Sequence, residues 1–356
     1  MRDGDWLQSL WGGDGLGARV ARAALTPAEM LFGIVTSARA SLYSSGIFAT
    51  RPTAIPALSV GNLTVGGTGK TPLAAYFARR LRSAGATPAI ILRGYGEDEP
   101  LVHRTLNPDV PVIISPDRLV GAEDAKHKGC DVVVLDDAFQ HRKAGRVADV
   151  VLVSADSWHE QRRHLLPAGP WRERLTAANR ASLAIVTRKA VSVERAETVA
   201  DIVGREAAGV PCAVVSLEPS ELHESQGAGI ATIDALRGET VFAISAIGDP
   251  DAFAAQLRAR GADVTSVQFR DHHGYTIADA EVLAEKGQRY DRVVCTLKDA
   301  VKLGPLWPGP SPLWYVSQRV VVERGEDAVE SVLTTTLLAR SASTHTGRPG
   351  LPGPTD

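Results

Sequence analysis

Ala57-Leu58-Ser59-Val60-Gly61-Asn62-Leu63-Thr64-Val65-Gly66-Gly67-Thr68-Gly69-Lys70-Thr71-Pro72 is the stretch from which the rest of the chain is read. Residues 57–60 have the composition of a buried strand, and LAAYFARRL from Leu73 repeats its apolar positions at helical spacing. A glycine-rich turn separates them, so the segment predicts strand, turn and helix, the setting of a phosphate-binding loop. Gly66, Gly67 and Gly69 let backbone N–H groups converge on phosphate oxygens without an obstructing Cβ, and the helix N-terminus adds partial positive charge. Thr64, Val65, Gly66, Gly67, Thr68 and Gly69 are therefore the expected cradle. Lys70 is placed to reach the β- and γ-phosphates of ATP, and the Thr71 hydroxyl to ligate Mg²⁺. Thr64 stands where the G-x-x-x-x-G-K-[ST] pattern has glycine, so the match is to a variant.

Outward from this loop, ALSV, PAIIL, PVII, DVVVL, DVVLV, LAIV and CAVV alternate with helical stretches as far as Val215. Continuous β-branched runs of this kind suit strands buried on both faces, and the rhythm predicts an α/β fold with a mainly parallel sheet and helices on both sides. VFAISAIG, DVTSVQF, RVVCTL and LWYVSQRVVV form a second series from Val241. Between Ser220 and Gly238 the apolar periodicity weakens. The expected division is an N-terminal helical segment at 1–50, a phosphate-loop core at 51–225, a smaller α/β domain at 226–340 and a disordered polar tail at 341–356.

The chain has 356 residues, long enough for two domains, and its 44% hydrophobic content leaves ample apolar surface to bury. A formal charge of −2 gives no overall field to attract nucleic acid, so an anionic ligand must be caught by local groups. The three cysteines are odd in number and widely spaced, which argues for a reducing compartment and against a zinc site. MRDGDWLQSL carries acids where a signal peptide has a basic region, so none is expected. Thr26-Pro27-Ala28-Glu29 reads as a capping box, followed by Leu31, Ile34, Val35, Ala38 and Leu42 at helical spacing. Trp6, Leu7, Leu10 and Trp11 with Arg19, Arg22 and Arg39 complete the pattern of a helix lying on a membrane surface, the alternative being a helix packed on its own domain.

Asp131-Val132-Val133-Val134-Leu135-Asp136-Asp137 is a buried strand ending in carboxylates, and beside a triphosphate site such a strand holds an acid near the metal. GNLTVGGTGKTP, LRGYG, DEP, PDR, DDAFQHR, LLPAGPWRERL, FRDHH and TLKDAVKL then occur in order. This series resembles the tetraacyldisaccharide 4′-kinases, the lipid A 4′-kinases of Gram-negative bacteria, over roughly Ala54 to Leu303. The resemblance implies transfer of the ATP γ-phosphate to the 4′-hydroxyl of a tetraacyl glucosamine disaccharide 1-phosphate, giving lipid IVA. It implies a glycolipid partner, no obligate protein partner, Mg²⁺, and a place at the cytoplasmic face of the inner membrane.

By the same resemblance Asp98 falls on the family's base and His272 on the histidine that assists it. Asp136, Asp137, Gln140 and His141 fall on the metal and active-site cluster, and Glu173 on an acid near Mg²⁺. Arg118 and Arg142 are candidate phosphate partners, because a guanidinium makes bidentate contacts. The rivals are a phosphate-loop ligase or kinase of a soluble metabolite, and a partitioning-type ATPase that acts as a switch. The strings Thr296-Leu297-Lys298-Asp299 and Thr187-Arg188-Lys189 do not fit the N-K-x-D element of guanine recognition.

Overall fold

The computed structural model describes residues 10–13, 15–94, 96, 98–160, 163–271, 273–308 and 311–345. Helix α1 (Leu16–Ser44) leads into β1 (Ala57–Asn62), α2 (Lys70–Ser83), β2 (Pro88–Leu92), α3 (Asp98–Leu106), β3 (Val112–Ile114), α4 (Arg118–His127) and β4 (Val132–Asp136). The chain continues through β5 (Ala148–Ser154), β6 (Leu183–Arg188), α5 (Val193–Glu206), the long β7 (Cys212–Glu224) and β8 (Ile230–Thr232). After these come β9 (Thr240–Ser245), α6 (Pro250–Ala259), β10 (Asp263–Gln268), α7 (Ile277–Gly287), β11 (Arg292–Thr296), α8 (Leu297–Leu303), β12 (Leu313–Arg324) and α9 (Glu326–His345).

All strands join one sheet in the order β10-β9-β11-β12-β7-β6-β5-β1-β4-β2-β3, with β8 beside β7. Among the described residues, only the strand pairs that β7 makes with β12 and β8 are antiparallel. This is the mainly parallel sheet that the apolar runs predict. Leu58, Val60, Val134 and Ile185 pack on one face with Leu73 and Phe77 of α2 and Val329, Val332 and Leu333 of α9. Ala57, Ile91, Val133 and Leu135 face the other way, against Ala122 and Ala125 of α4. The period-2 alternation buries both sets, which is why these strands read as unbroken hydrophobic runs.

The β7–β12 ladder brings the two series together. β6 pairs along the first part of β7, ending at Arg188 opposite Ser216. β11 ends at Thr296 opposite Val316, and Val316 lies opposite Leu222 near the far end of β7. Because β12 runs against β7, the carboxyl edges of the two strand sets point toward one another. The stretch from Ser216 to Leu222 separates them by about 20 Å of extended strand, a gap that becomes the cleft. The ladder's register slips between Val316 and Gln318, within that gap.

Three expectations for the chain ends change. Helix α1 does not start at Thr26: it runs from Leu16 with Pro27 inside it, and the Thr26 hydroxyl donates to Arg22 O, one turn back, at 3.3 Å. Glu29 closes no capping box, because its carboxylate accepts from Leu165 N at 2.8 Å and lies 3.1 Å from His164 Nδ1. Arg22 is buried, donating to Leu10 O and to Gly13 O, and Trp11 Nε1 donates to Pro167 O at 3.0 Å. Leu10, Trp11 and Arg22 thus hold the chain's start onto its own body, while Trp6 and Leu7 lie outside the described residues.

The apolar face of α1 is another matter. Met30, Leu31, Ile34 and Val35 are 64%, 63%, 65% and 56% exposed, so it is not packed on the domain. At the other end α9 remains helical through His345, beyond the Ser341 at which a polar tail was expected to begin, and 346–356 lie outside the described residues.

Candidate active site

The loop after β1 is shaped by its neighbours. Thr64 bridges to Trp171, and Val65 N donates to Pro170 O at 2.8 Å. Asn62 Nδ2 donates to the buried Thr68 hydroxyl at 2.9 Å, and the Thr187 hydroxyl at the end of β6 donates to Thr68 O, also at 2.9 Å. Gly69 precedes α2 with φ +84°, a left-handed geometry, and a Cβ there would run into Leu217 of β7. Only glycine meets both demands, which explains the residue type in the GKT core. Lys70 and the buried Thr71 open α2. Burial pulls the Lys70 ammonium below its ordinary value, with Asp137 and Asp136 opposing and Arg172 and Lys298 reinforcing the shift.

β4 delivers its carboxylates beside this loop. Asp136 is buried, and its Oδ2 lies 2.8 Å from Nε2 of the fully buried His103 on α3. Burial on its own raises the Asp136 pKa, but the His103 hydrogen bond, the attraction of His103 and the charges of Lys70 and Lys298 outweigh it and hold the carboxyl below its ordinary range. Asp137 takes φ +49°, in the left-handed region that aspartate tolerates at about 1 kcal/mol. It receives Arg172 Nη1 at 2.9 and 3.1 Å and lies 3.9 Å from Lys70 Nζ.

These groups line a cleft of about 1070 Å³ between the facing carboxyl edges. Its walls include Val65–Pro72, Asp98, Glu99, Arg118, Asp136, Asp137, Gln140 and His141 from the first half. Gly248, Asp249, Asp271, Thr296, Lys298 and Lys302 face them from the second, with Leu217, Val316 and Gln318 of the β7–β12 ladder between. Asp98 is 3% exposed at the start of α3. Glu99 beside it is pushed up by burial and by Asp136. Buried Arg118 donates to Ser115 O at 2.7 Å and to Asp136 O at 3.1 Å, so much of its donor capacity fixes the end of β4. Gln140 Nε2 donates to Asn62 O at 2.8 Å, and burial lowers the His141 pKa.

Two residues chosen from the sequence stand elsewhere. Arg142 donates to Ala40 O and the Ser44 hydroxyl at the end of α1 and lies over the Tyr43 ring at 5.1 Å, so it anchors that helix and does not line the cleft. Glu173 is paired with Arg180 at 2.8 Å and also lies off the cleft wall. His272 lies outside the described residues. His273 stacks on Phe269 at 4.6 Å and meets Tyr275 edge-on at 5.0 Å. Arg172, Lys189 and Lys298 also line the cleft, and His103 holds Asp136 beside it. Arg172 and Lys298 sit inside the WRER and TLKD strings, and no local pattern in the sequence sets these four apart from ordinary basic residues.

The family model described as Tetraacyldisaccharide-1-P 4′-kinase matches residues 21–338. A tetraacyldisaccharide 4′-kinase of Anaeromyxobacter sp. (strain Fw109-5) is 34% identical over 92% of this chain and 96% of its own. One from Xanthomonas campestris pv. campestris (strain 8004) is 33% identical over 78% of this chain and 84% of its own. The crystal structure of the "apo" form of LpxK from Aquifex aeolicus in complex with ATP superposes with a TM-score of 0.70 at 26% identity, covering 89% of this chain and 99% of that one.

Proposed function

The chain belongs to the tetraacyldisaccharide-1-P 4′-kinase family, and we propose that the cleft between its facing strand edges is the site of that family's reaction. The protein is an ATP-dependent kinase of lipid A biosynthesis that phosphorylates the 4′-hydroxyl of a tetraacyl disaccharide 1-phosphate. The observation that carries the site is convergence: the phosphate loop, the β4 carboxylates and the first turn of α3 line one cavity. The cradle of Thr64–Gly69 with Lys70 and Thr71 binds the triphosphate. Asp98 orients the acceptor hydroxyl and takes its proton while the 4′-oxygen bonds to the γ-phosphorus and the bond to the β,γ-bridging oxygen breaks, releasing ADP. His272, next in sequence to the cleft-lining Asp271, assists that base, and Gln140, His141 and Arg118 line the cleft beside it.

The donor set fits Mg²⁺. Asp136 Oδ1 is buried with no hydrogen-bond partner among the described residues, Asp137 and the Thr71 hydroxyl line the same cleft, and hard oxygens are what this ion takes. Thr71, Asp136 and Asp137 would hold it, and when bound it neutralises charge on the β- and γ-phosphates. Glu173, engaged with Arg180, is not among these donors.

The acceptor's acyl chains call for a membrane interface. No helix among the described residues is long and apolar enough to cross one. The exposed Met30, Leu31, Ile34 and Val35 face of α1 supports peripheral docking at the cytoplasmic face of the inner membrane. The test of the site is phosphorylation of the lipid disaccharide in detergent with Mg²⁺-ATP. Asp98→Asn should lower turnover by about 10²-fold or more while ATP still binds. Wild-type turnover in that variant removes Asp98 from the mechanism.

A further inference from the structure

The cleft carries Lys70, Lys189, Lys298 and Lys302, and their surroundings differ. Lys70 lies 3.9 Å from Asp137. Lys189 Nζ donates to Gly67 O at 2.8 Å and lies 3.6 Å from Asp249. Lys302 Nζ donates to His273 O at 2.9 Å and sits 5.5 Å from the centre of the Tyr275 ring. Lys298 has neither a hydrogen bond nor an ion pair to any described residue, although it is half-buried and lines the cleft. Its charge reaches the Asp136 and Glu99 carboxylates only across space, so its donors are left to face the cleft, where an anionic ligand can take them.

Its backbone is fixed. The next residue, Asp299, is fully buried and accepts from Ala246 N at 3.1 Å, the Tyr275 hydroxyl at 2.9 Å and the Thr296 hydroxyl at 2.6 Å. That hub ties the start of α8 to the end of β9 and to the loop bearing His273. Helix α8 packs directly on α3, whose first turn holds Asp98 and Glu99. Lys298 lines the same cleft as the phosphate loop, from the second half of the molecule, beside Thr296 and Leu297.

We infer that Lys298 is the cation that the second half of the molecule sets on the transferred phosphoryl group, across the cleft from Lys70. The inference rests on the cleft being the reaction site. Charge on the three equatorial oxygens of a phosphoryl group in flight is stabilised by fixed cations around it, and the phosphate loop supplies them from one side only. A lysine on α8 completes the set when the halves face each other as they do here.

The test compares full-length wild type, Lys298→Met and Lys298→Arg for lipid phosphorylation, for binding of ADP and of the non-hydrolysable analogue AMP-PNP, and for thermal melting. Lys298→Met should lower kcat about 100-fold, weaken AMP-PNP about tenfold and leave ADP within about twofold, because only the γ-phosphate loses a partner. Lys298→Arg keeps the charge and should recover at least about tenfold of the lost turnover. If the methionine variant melts early, Lys298→Gln supplies the same nucleotide comparison. Turnover within about threefold of wild type overturns the assignment, as does equal weakening of ADP and AMP-PNP, the mark of a purely structural lysine. Loss of γ-phosphate discrimination at Lys298 alongside full turnover in Asp98→Asn would sustain Lys298 and overturn the base.

Discussion

His103 and Asp136 are buried together at the edge of the cleft, and the carboxyl is held below its ordinary value of 3.8 by attractions that outweigh its burial. A carboxylate with a depressed pKa stabilises the fold above its unfolded value, and that stabilisation is lost as pH falls through the folded value. His103→Ala leaves the charge buried without its partner and should cost about 3 kcal/mol at neutral pH, read as a lowered urea midpoint. The gap to wild type should narrow as the solution is acidified below the ordinary carboxylate range, where Asp136 takes up a proton. A variant as stable as wild type at neutral pH would show that the hydrogen bond contributes nothing. Asp136 and Asp137 were legible because a run of valines ending in acids announces a buried strand with carboxylates at its tip. His103 was not, since it reads as a basic residue near a helix end, and its partner lies 33 positions away. Arg142 is the converse case: a guanidinium suits phosphate in any sequence, and only the position of α1 shows that its donors reach Ala40 O and the Ser44 hydroxyl.

Strands were the most legible elements because burial on both faces leaves no polar alternation to confuse the reading. Helix α1 was legible as amphipathic but not in extent, since Thr26-Pro27-Ala28-Glu29 has the form of a cap and is helix interior. Its Glu29 serves a tertiary contact, the Leu165 amide, that no local pattern encodes. The exposed side chains on this helix separate two roles that one sequence pattern allows. A core helix would lose stability on Leu31→Asp with Ile34→Asp. A docking helix would lose only membrane affinity. Both residues are more than half exposed, so the double variant should melt within about 2 °C of wild type and co-sediment far less with anionic phospholipid vesicles. Unchanged partitioning would remove α1 from the interface.

At the scale of the whole molecule, the weak periodicity between Ser220 and Gly238 suggested a junction, and the structure carries β7 through its first residues without a break. What the sequence could not convey is that β12 returns antiparallel along β7, because a strand's partner is chosen from distant candidates by packing rather than by its own pattern. That return sets the two carboxyl edges face to face and so makes the cleft. It also brings the end of the chain home: Val329, Val332 and Leu333 of α9 are buried with Leu73 and Phe77 in the core of the first half. Burying three such side chains contributes roughly 5 kcal/mol, comparable to the whole net stability of a typical domain. A fragment of residues 1–225 therefore lacks the helix that covers its sheet and leaves the long edge of β7 unpaired. Expressed alone, it should aggregate or show no cooperative thermal transition, whereas the same fragment supplied with residues 311–345 should recover one. A monomeric 1–225 fragment with a sharp melt would mean that the first half folds without the strand and helix that return to it.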